Sequence, residues 1–142
     1  MPVKRVFLDT NGWLALLNED ESLHREADEQ FRQLGRARSE VILTDWIVAE
    51  TGNCVARSTL RSEFVEAVRR FSANPSFRII SVSEQLREKA LDLYAARPDK
   101  TWGLVDCASF VVMSEEGIID AFTTDRHFEQ AGFTCLLPAT AS

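Results

Sequence analysis

The feature that most constrains the fold of this chain is the alternation of short apolar runs with helix-like segments along its length. The runs are rich in β-branched and aromatic residues, which favour strands. They are VKRVFL (3–8), EVILT (40–44), FRIISV (77–82), IIDAFTT (118–124) and FTCLL (133–137). Strands alternating with helices predict an α/β domain with a central parallel sheet of four to five strands and helices on both faces.

The intervening segments carry apolar residues at helical spacing. Helices are predicted for GWLALLNED (12–20), HREADEQFRQL (24–34), DWIVAETGNCVARS (45–58), RSEFVEAVRRF (61–71), EQLREKALDLYAAR (84–97), LVDCASFVVM (104–113) and RHFEQA (126–131). Asp45 and Ser83 are predicted to cap the starts of the third and fifth helices. Gly35 and Gly117 are predicted to end the second and sixth.

Length and charge limit the classes of protein to consider. A chain of 142 residues fits one domain, predicted here to span 1–142, and buries a core without disulfides. Its three cysteines are far apart and lack zinc-site spacing. A net charge of −6 argues against nonspecific wrapping of nucleic acid. A nuclease that binds phosphate through cations stays compatible with that charge.

The chain is expected to act in the cytoplasm, without membrane insertion. No segment has the uninterrupted apolar length that spans a bilayer. The start of the sequence, MPVKRVFLDT, leads into a strand-like run and lacks a signal-peptide core.

Four acidic residues fall where apolar runs meet helix-like segments: Asp9, Glu50, Asp106 and Asp125. Each aspartate alone is as compatible with a helix cap as with a ligand. Glu50 fits a ligand better, because a carboxylate one turn inside an apolar helix needs a partner. The carboxyl ends of parallel strands meet at one edge of a sheet, so all four can converge.

Clustered carboxylates are oxygen ligands suited to Mg²⁺ or Mn²⁺. Without a cation, they repel one another and hold protons, so metal binding is expected to release protons. A divalent ion in such a cleft would activate water and stabilise the leaving oxygen in phosphodiester cleavage. This chemistry needs no serine or histidine nucleophile.

Four motifs give the chain a resemblance to a known family. They are FLDTNGWLALL, TDWIVAET, DKTWGLVDCASFVVM and AFTTDRHF, in this order over nearly the full length. Together they resemble a PIN-domain ribonuclease of the VapC toxin type. The resemblance implies Mg²⁺-dependent endoribonuclease activity on RNA, inhibition by a cognate antitoxin protein, and a homodimer.

The resemblance also implies roles for individual positions. Asp9, Glu50, Asp106 and Asp125 match the acidic metal ligands of the family, and Asn11 and Thr123 match polar positions that support them. One departure is Val105, where relatives commonly carry a hydroxyl residue before the third acid.

Other residues have less specific predicted roles. Ordinary surface roles are favoured for His24 and His127, and core packing for Trp13, Trp46 and Trp102. Trp13 with Leu16 and Leu17 is an alternative candidate for a groove that receives an antitoxin helix.

Three functional hypotheses remain. The leading one is the metal-dependent endoribonuclease, and the alternative is a PIN-like RNA-binding or regulatory module without turnover. A phosphatase with an Asp9 nucleophile is disfavoured, because LDTN lacks the second aspartate of a D-x-D loop.

Overall fold

The sheet contains five strands, all parallel, in a computed structural model that describes residues 3–139. The strands are β1 (Arg5–Leu8), β2 (Glu40–Thr44), β3 (Phe77–Ile80), β4 (Asp120–Phe122) and β5 (Thr134–Cys135). Their order across the sheet is β3-β2-β1-β4-β5. The predicted parallel α/β fold is confirmed.

Seven helices connect the strands within the described range. They are α1 (Thr10–Leu17), α2 (His24–Arg36), α3 (Asp45–Val55), α4 (Arg61–Ala73), α5 (Glu84–Ala96), α6 (Leu104–Glu116) and α7 (His127–Gln130). The helices fall into two groups by their main contacts. In the first group, α1 contacts α2 and α3, and α3 contacts α4. In the second, α6 contacts α5 and α7. Since parallel crossovers are right-handed and chain direction across the sheet reverses after β3, the two groups cover opposite faces.

The core lies between the sheet and these two layers. The central strands β1 and β2 are almost continuously apolar, and Phe7, Leu8, Ile42 and Leu43 have no exposed surface. Trp13 is also buried, with its ring 5.1 Å from that of Phe64 and 5.2 Å from that of Phe71. Apolar and polar residues do not alternate along these strands, because helices cover both faces of the parallel sheet and bury the side chains on each.

Several helix ends differ from the prediction: α1 begins at Thr10 and ends at Leu17, α3 ends at Val55, and two of the predicted end residues have other roles. Thr44, rather than Asp45, caps α3, since its Oγ1 accepts a hydrogen bond from the Ile47 amide at 3.2 Å. Asp45 instead accepts a bond from the Val82 amide at 2.9 Å, which ties α3 to the segment after β3. Helix α2 continues through Gly35 to Arg36.

Two other predicted boundaries are correct. Ser83 caps α5 by accepting a bond from the Leu86 amide at 3.1 Å. Gly117 follows α6 with a φ of 70°, the left-handed conformation that glycine adopts without strain.

The strand order reverses between β1 and β4, which are neighbouring parallel strands near the centre of the sheet. From β1 the chain moves to β2 on one side, while β4 and β5 lie on the other. In open α/β sheets, ligand sites form at such a reversal, beside the carboxyl ends of the strands. Within 3–139, no helix combines the length and apolar character required to cross a membrane.

Candidate active site

Asp9 and Thr123 are brought together by the register of the two central strands. Leu8 of β1 lies opposite Phe122 of β4, so the residues that follow these strands are neighbours. Thr123 Oγ1 donates a hydrogen bond to Asp9 Oδ2 at 2.7 Å and accepts one from the Asp125 amide at 3.0 Å. The Thr123 hydroxyl therefore fixes Asp9 relative to the loop that carries Asp125.

The Asp9 carboxyl is buried, and its proton affinity is altered accordingly. Only 2% of the residue is exposed. Burial raises the pKa of Asp9 to about 7, the Thr123 hydroxyl opposes this rise, and the charges of Asp106, Asp125 and Glu50 add to it. Asp9 precedes α1 but makes no side-chain capping bond. The capping alternative thus fails for Asp9.

Asp106 occupies the first turn of α6. Its Oδ2 accepts a hydrogen bond from the Gly103 amide at 3.1 Å, which is one half of a capping arrangement. Burial raises the pKa of Asp106, and the charge of Asp125 also favours its protonated form. Asp106 therefore caps its helix and also belongs to the acidic cluster.

Asp125 follows β4 in a short turn. Its Oδ1 accepts a hydrogen bond from the His127 amide at 2.9 Å, and its backbone carbonyl accepts one from Cys135 Sγ at 3.3 Å. These contacts hold the turn against β5 and direct the carboxylate towards Asp106.

Glu50 enters the cluster from α3. Helix α3 begins directly after β2, at the carboxyl-end edge of the sheet, and the charge of Glu50 raises the pKa of both Asp9 and Asp106. The neighbouring residue, Thr51, is buried and donates a hydrogen bond to Thr10 Oγ1 at 3.1 Å. This bond joins α3 to the start of α1 and so positions Glu50 relative to Asp9.

His127 is the site residue that the sequence interpretation missed. Its Nδ1 lies 3.4 Å from Asp106 Oδ2 and 3.3 Å from Asp125 Oδ1. Its Nε2 lies 3.1 Å from Thr101 Oγ1. The spacing D-x-H within TTDRHF was the available signal, but only the turn after Asp125 reveals that both side chains face Asp106.

Asn11 is exposed at the start of α1 and lines a cavity of about 540 Å³ together with Asp125 and Arg126. The Arg126 guanidinium is engaged with Glu129 and with the Leu137 carbonyl oxygen. Because Asp125 lines this cavity, the cavity adjoins the acidic cluster. Asn11 lies at the edge of the cluster rather than among the acids.

The donor set fits a divalent cation. One ligand atom each from Asp106, Asp125 and His127 lies within 4.8 Å of the other two, so one ion can contact all three. Asp9 borders this group, since the charges of Asp106 and Asp125 both raise its pKa. A cation would remove the repulsion among these carboxylates.

Comparison with known proteins assigns the chain to a family. The family model for the PIN domain matches residues 6–134. The chain belongs to the PIN domain family. That match includes all four acids, and the resemblance inferred from the four sequence motifs is confirmed.

Two relatives extend the comparison of this PIN-domain chain. It is 29% identical over 135 residues to the 23S rRNA-specific endonuclease VapC20 of Mycobacterium tuberculosis, covering 94% of this chain and 98% of that protein. The crystal structure of VapC20, described as a Sarcin-Ricin loop cleaving toxin, superposes with a TM-score of 0.78 at 26% identity. That superposition covers 91% of this chain and 96% of the VapC20 chain.

A more distant structure shares the fold. VapBC2 from Rickettsia felis, crystallised with a DNA fragment, has a TM-score of 0.65 at 16% identity. The match covers 89% of this chain and 92% of that chain.

Proposed function

We propose that this PIN-domain protein is a metal-dependent endoribonuclease and the toxin of a toxin–antitoxin pair. The observation that carries the proposal is the group of carboxylates beside the strand-order reversal: Asp106 and Asp125 can contact one cation, and their charges and that of Glu50 raise the pKa of Asp9. Similarity to VapC20 over nearly the whole of both chains supports RNA as the substrate.

The proposed cofactor is Mg²⁺ or Mn²⁺, held by Asp9, Asp106 and Asp125 with Glu50 on the second side of the cleft. The bound cation would supply electrophilic stabilisation of the phosphoryl oxygens and an acidified water. The carboxylates alone would repel a phosphodiester, so the cation also reverses the sign of the charge that the RNA meets.

The protein side chains supply preorganisation. The Thr123 hydroxyl holds one oxygen of Asp9, the Gly103 amide holds one oxygen of Asp106, and the His127 amide holds one oxygen of Asp125. A carboxylate offers about four acceptor positions, so each aspartate can still bind a cation. Fixed ligand orientation is what a site of this kind requires, since outer hydrogen bonds commonly change metal affinity by about 10–100-fold.

The proposed protein partners are a cognate antitoxin and a second copy of the chain. A cavity of about 360 Å³ between α1, α2 and α4 is lined by apolar groups that include Leu16, Leu17, Phe31 and Phe71. An amphipathic helix is the ligand that suits such a groove. Copurification with a coexpressed candidate antitoxin and light scattering of the purified chain would test the two partners.

Removal of single carboxylates tests the proposed catalytic site. Asp9→Asn and Asp106→Asn are each expected to lower cleavage of a Sarcin-Ricin loop RNA by at least about 100-fold in Mg²⁺ or Mn²⁺, because each removes a charge that binds the cation. Gel analysis of 5′-labelled RNA measures the rate. Asp92→Asn, on the exposed side of α5, is the matched control and is expected to cleave at the wild-type rate.

The outcome also separates the enzyme from a binding module. Wild-type protein that binds the RNA without cleaving it in either metal, and without cleaving total ribosomal RNA, would overturn the enzymatic proposal. Unchanged cleavage by both folded variants would overturn the assigned site instead.

A further inference from the structure

The imidazole of His127 lies at the proposed cation site, and two contacts fix its orientation. Its backbone amide donates to Asp125 Oδ1 at 2.9 Å, so the ring and this carboxylate share one turn. Its Nε2 lies 3.1 Å from Thr101 Oγ1, in the loop before α6. Nδ1 is thereby directed at the space between Asp106 and Asp125.

The environment of Nδ1 resembles that of a ligand atom more closely than that of an ion-pair donor. It lies 3.3 Å and 3.4 Å from two carboxylate oxygens but makes a well-aligned hydrogen bond with neither. It is also shielded from solvent, and among the residues the structure describes it has no other hydrogen-bond partner. A bare nitrogen and two oxygens around one point form a donor set for a metal ion.

Thr101 supplies the contact that such a ligand needs on its other nitrogen. Histidines that bind metals generally donate their second ring N–H to an acceptor, which fixes the tautomer and leaves the first nitrogen free. If the Thr101 hydroxyl accepts from Nε2, Nδ1 carries the lone pair. The loop before α6 thus determines the donor atom that His127 presents.

We infer that His127 is a direct ligand of the divalent ion through Nδ1 and makes this site select Mn²⁺ over Mg²⁺. The inference deepens the proposed nuclease function and rests on its metal site. Mg²⁺ binds almost entirely to oxygen ligands, whereas a nitrogen donor favours the divalent first-row transition ions, of which Mn²⁺ is the weakest binder. An all-carboxylate site would lack this source of selection.

Metal binding, measured separately from activity, tests the inference. Mn²⁺ affinity is measured from the loss of the free-ion paramagnetic resonance signal, and Mg²⁺ affinity by competition. His127→Ala is expected to weaken Mn²⁺ binding by at least about tenfold, since it removes a ligand, and Mg²⁺ binding by less than about threefold. Pulsed resonance of the Mn²⁺ complex is expected to show a nitrogen coupling that His127→Ala abolishes.

Two controls define the origin of the signal. The chain contains two histidines, and the other, His24, places its Nδ1 2.9 Å from the Ala15 carbonyl oxygen. His24→Gln is therefore expected to retain the nitrogen coupling and both affinities. Thr101→Val is expected to weaken Mn²⁺ binding, while Thr101→Ser keeps the hydroxyl and the wild-type affinity.

A simple ion pair would give the opposite result. If His127 only neutralises the two carboxylates, the His127→Ala protein would bind both Mn²⁺ and Mg²⁺ at least as tightly as the wild type. The wild-type Mn²⁺ complex would also lack nitrogen coupling. That outcome overturns the inference while RNA cleavage by the wild type still supports the nuclease. Nitrogen coupling without RNA cleavage would sustain the metal ligand and overturn the proposed function.

Discussion

At the scale of single residues, Asp9 is a buried carboxyl that is also a proposed metal ligand. Its carboxyl has lost most of its hydration and lies among three other acids, while one hydroxyl stabilises it. A folded protein keeps such an arrangement only when the rest of the structure enforces it. In this chain the enforcing contacts are the β1–β4 register and the Thr123 hydroxyl.

The raised pKa of Asp9 predicts how stability varies with pH. The folded state retains the Asp9 proton up to about pH 7, whereas an unfolded chain releases it near pH 4. Between these values the folded state binds more protons, so the free energy of unfolding falls as pH rises. Metal-free protein is expected to lose thermal stability from pH 5 to pH 7.5, as measured by calorimetry.

The variant Asp9→Asn provides the comparison for this pH effect. It is expected to show a smaller decline over the same range and to exceed the wild type in metal-free stability at pH 7.5. Saturating Mg²⁺ or Mn²⁺ is expected to reduce the decline in the wild type, because the ion binds the ionised form. A wild type and variant with parallel pH profiles would contradict the assignment of this effect to Asp9.

Thr123 gives a second prediction at this scale, because its hydroxyl serves two acids. Thr123→Val keeps the shape but removes the donor to Asp9 and the acceptor for the Asp125 amide. It is expected to destabilise the fold by about 1–3 kcal/mol and to weaken metal binding by at least about tenfold. Urea unfolding and Mn²⁺ titration measure these changes.

Thr123→Ser is the matched control, since it retains the hydroxyl and removes a methyl group. Its metal affinity is expected to stay within about threefold of the wild type, while Thr123→Val falls further. Equal metal affinities for the two variants would show that the hydroxyl has no part in the site.

At the scale of secondary-structure elements, the approach of α1 to β4 sets the geometry around Asp9. A Cβ atom on Gly12 would lie 2.0 Å from the Phe122 carbonyl oxygen, a backbone atom that cannot rotate away. The glycine therefore permits the first turn of α1 to pack directly on the end of β4. This contact holds Asp9 beside the turn that contains Thr123 and Asp125.

Gly12→Ala is predicted to disrupt this contact. Because the added methyl group meets backbone, α1 must move, at an expected loss of at least about 2 kcal/mol in the free energy of unfolding. Cleavage by the folded fraction is also expected to fall. Urea unfolding followed by circular dichroism measures the stability.

Gly35→Ala provides the contrasting helical glycine. A Cβ atom there meets no heavy atom within 4 Å, and Gly35 lies inside α2. The substitution is expected to stabilise the helix by roughly 0.5–1 kcal/mol, because alanine has the higher helix propensity. Equal effects of the two substitutions would contradict the steric explanation for Gly12.

Element boundaries show where local sequence was sufficient and where it was not. Ser83 and Gly117 act through their own backbone or neighbouring amides, so the sequence identified both positions. Asp45 was predicted as a cap for the same local reason. Its carboxylate instead bonds to Val82, which is distant in sequence and adjacent only because β2 and β3 pair.

At the scale of the whole molecule, the two ends of the sheet have opposite electrostatic arrangements. At the amino ends of the strands, Arg5 pairs with Glu116 at 2.8 Å and Arg78 pairs with Glu40 at 3.5 Å. At the carboxyl ends, acids gather around Asp9. The Arg5 contact holds the pKa of Glu116 below its usual range, whereas burial raises that of Asp9.

Glu116→Gln is therefore predicted to affect stability alone. Glu116 lies ten residues beyond Asp106 in α6, about 15 Å along the helix. Because these ion pairs are partly exposed, the loss in free energy of unfolding is expected to be no more than about 1 kcal/mol. Cleavage in Mn²⁺ is expected to match the wild type, measured on the Sarcin-Ricin loop RNA.

The matched comparison is again Asp9→Asn. This variant is expected to lose cleavage while gaining metal-free stability at pH 7.5, the reverse of Glu116→Gln. Loss of cleavage in a stably folded Glu116→Gln protein would contradict the separation of the two ends.

The sequence by itself determined the parallel α/β class, most helices and strands, the family resemblance and the four acids. It did so because apolar periodicity and the junctions of strands with helices are local properties of the chain. The tertiary structure alone decided that His127 faces Asp106 and Asp125, that Thr123 joins Asp9 to the following turn, and that Gly12 contacts Phe122. Each of these contacts depends on the pairing of β1 with β4 or on the packing of distant helices, and no periodicity in the chain records such pairings.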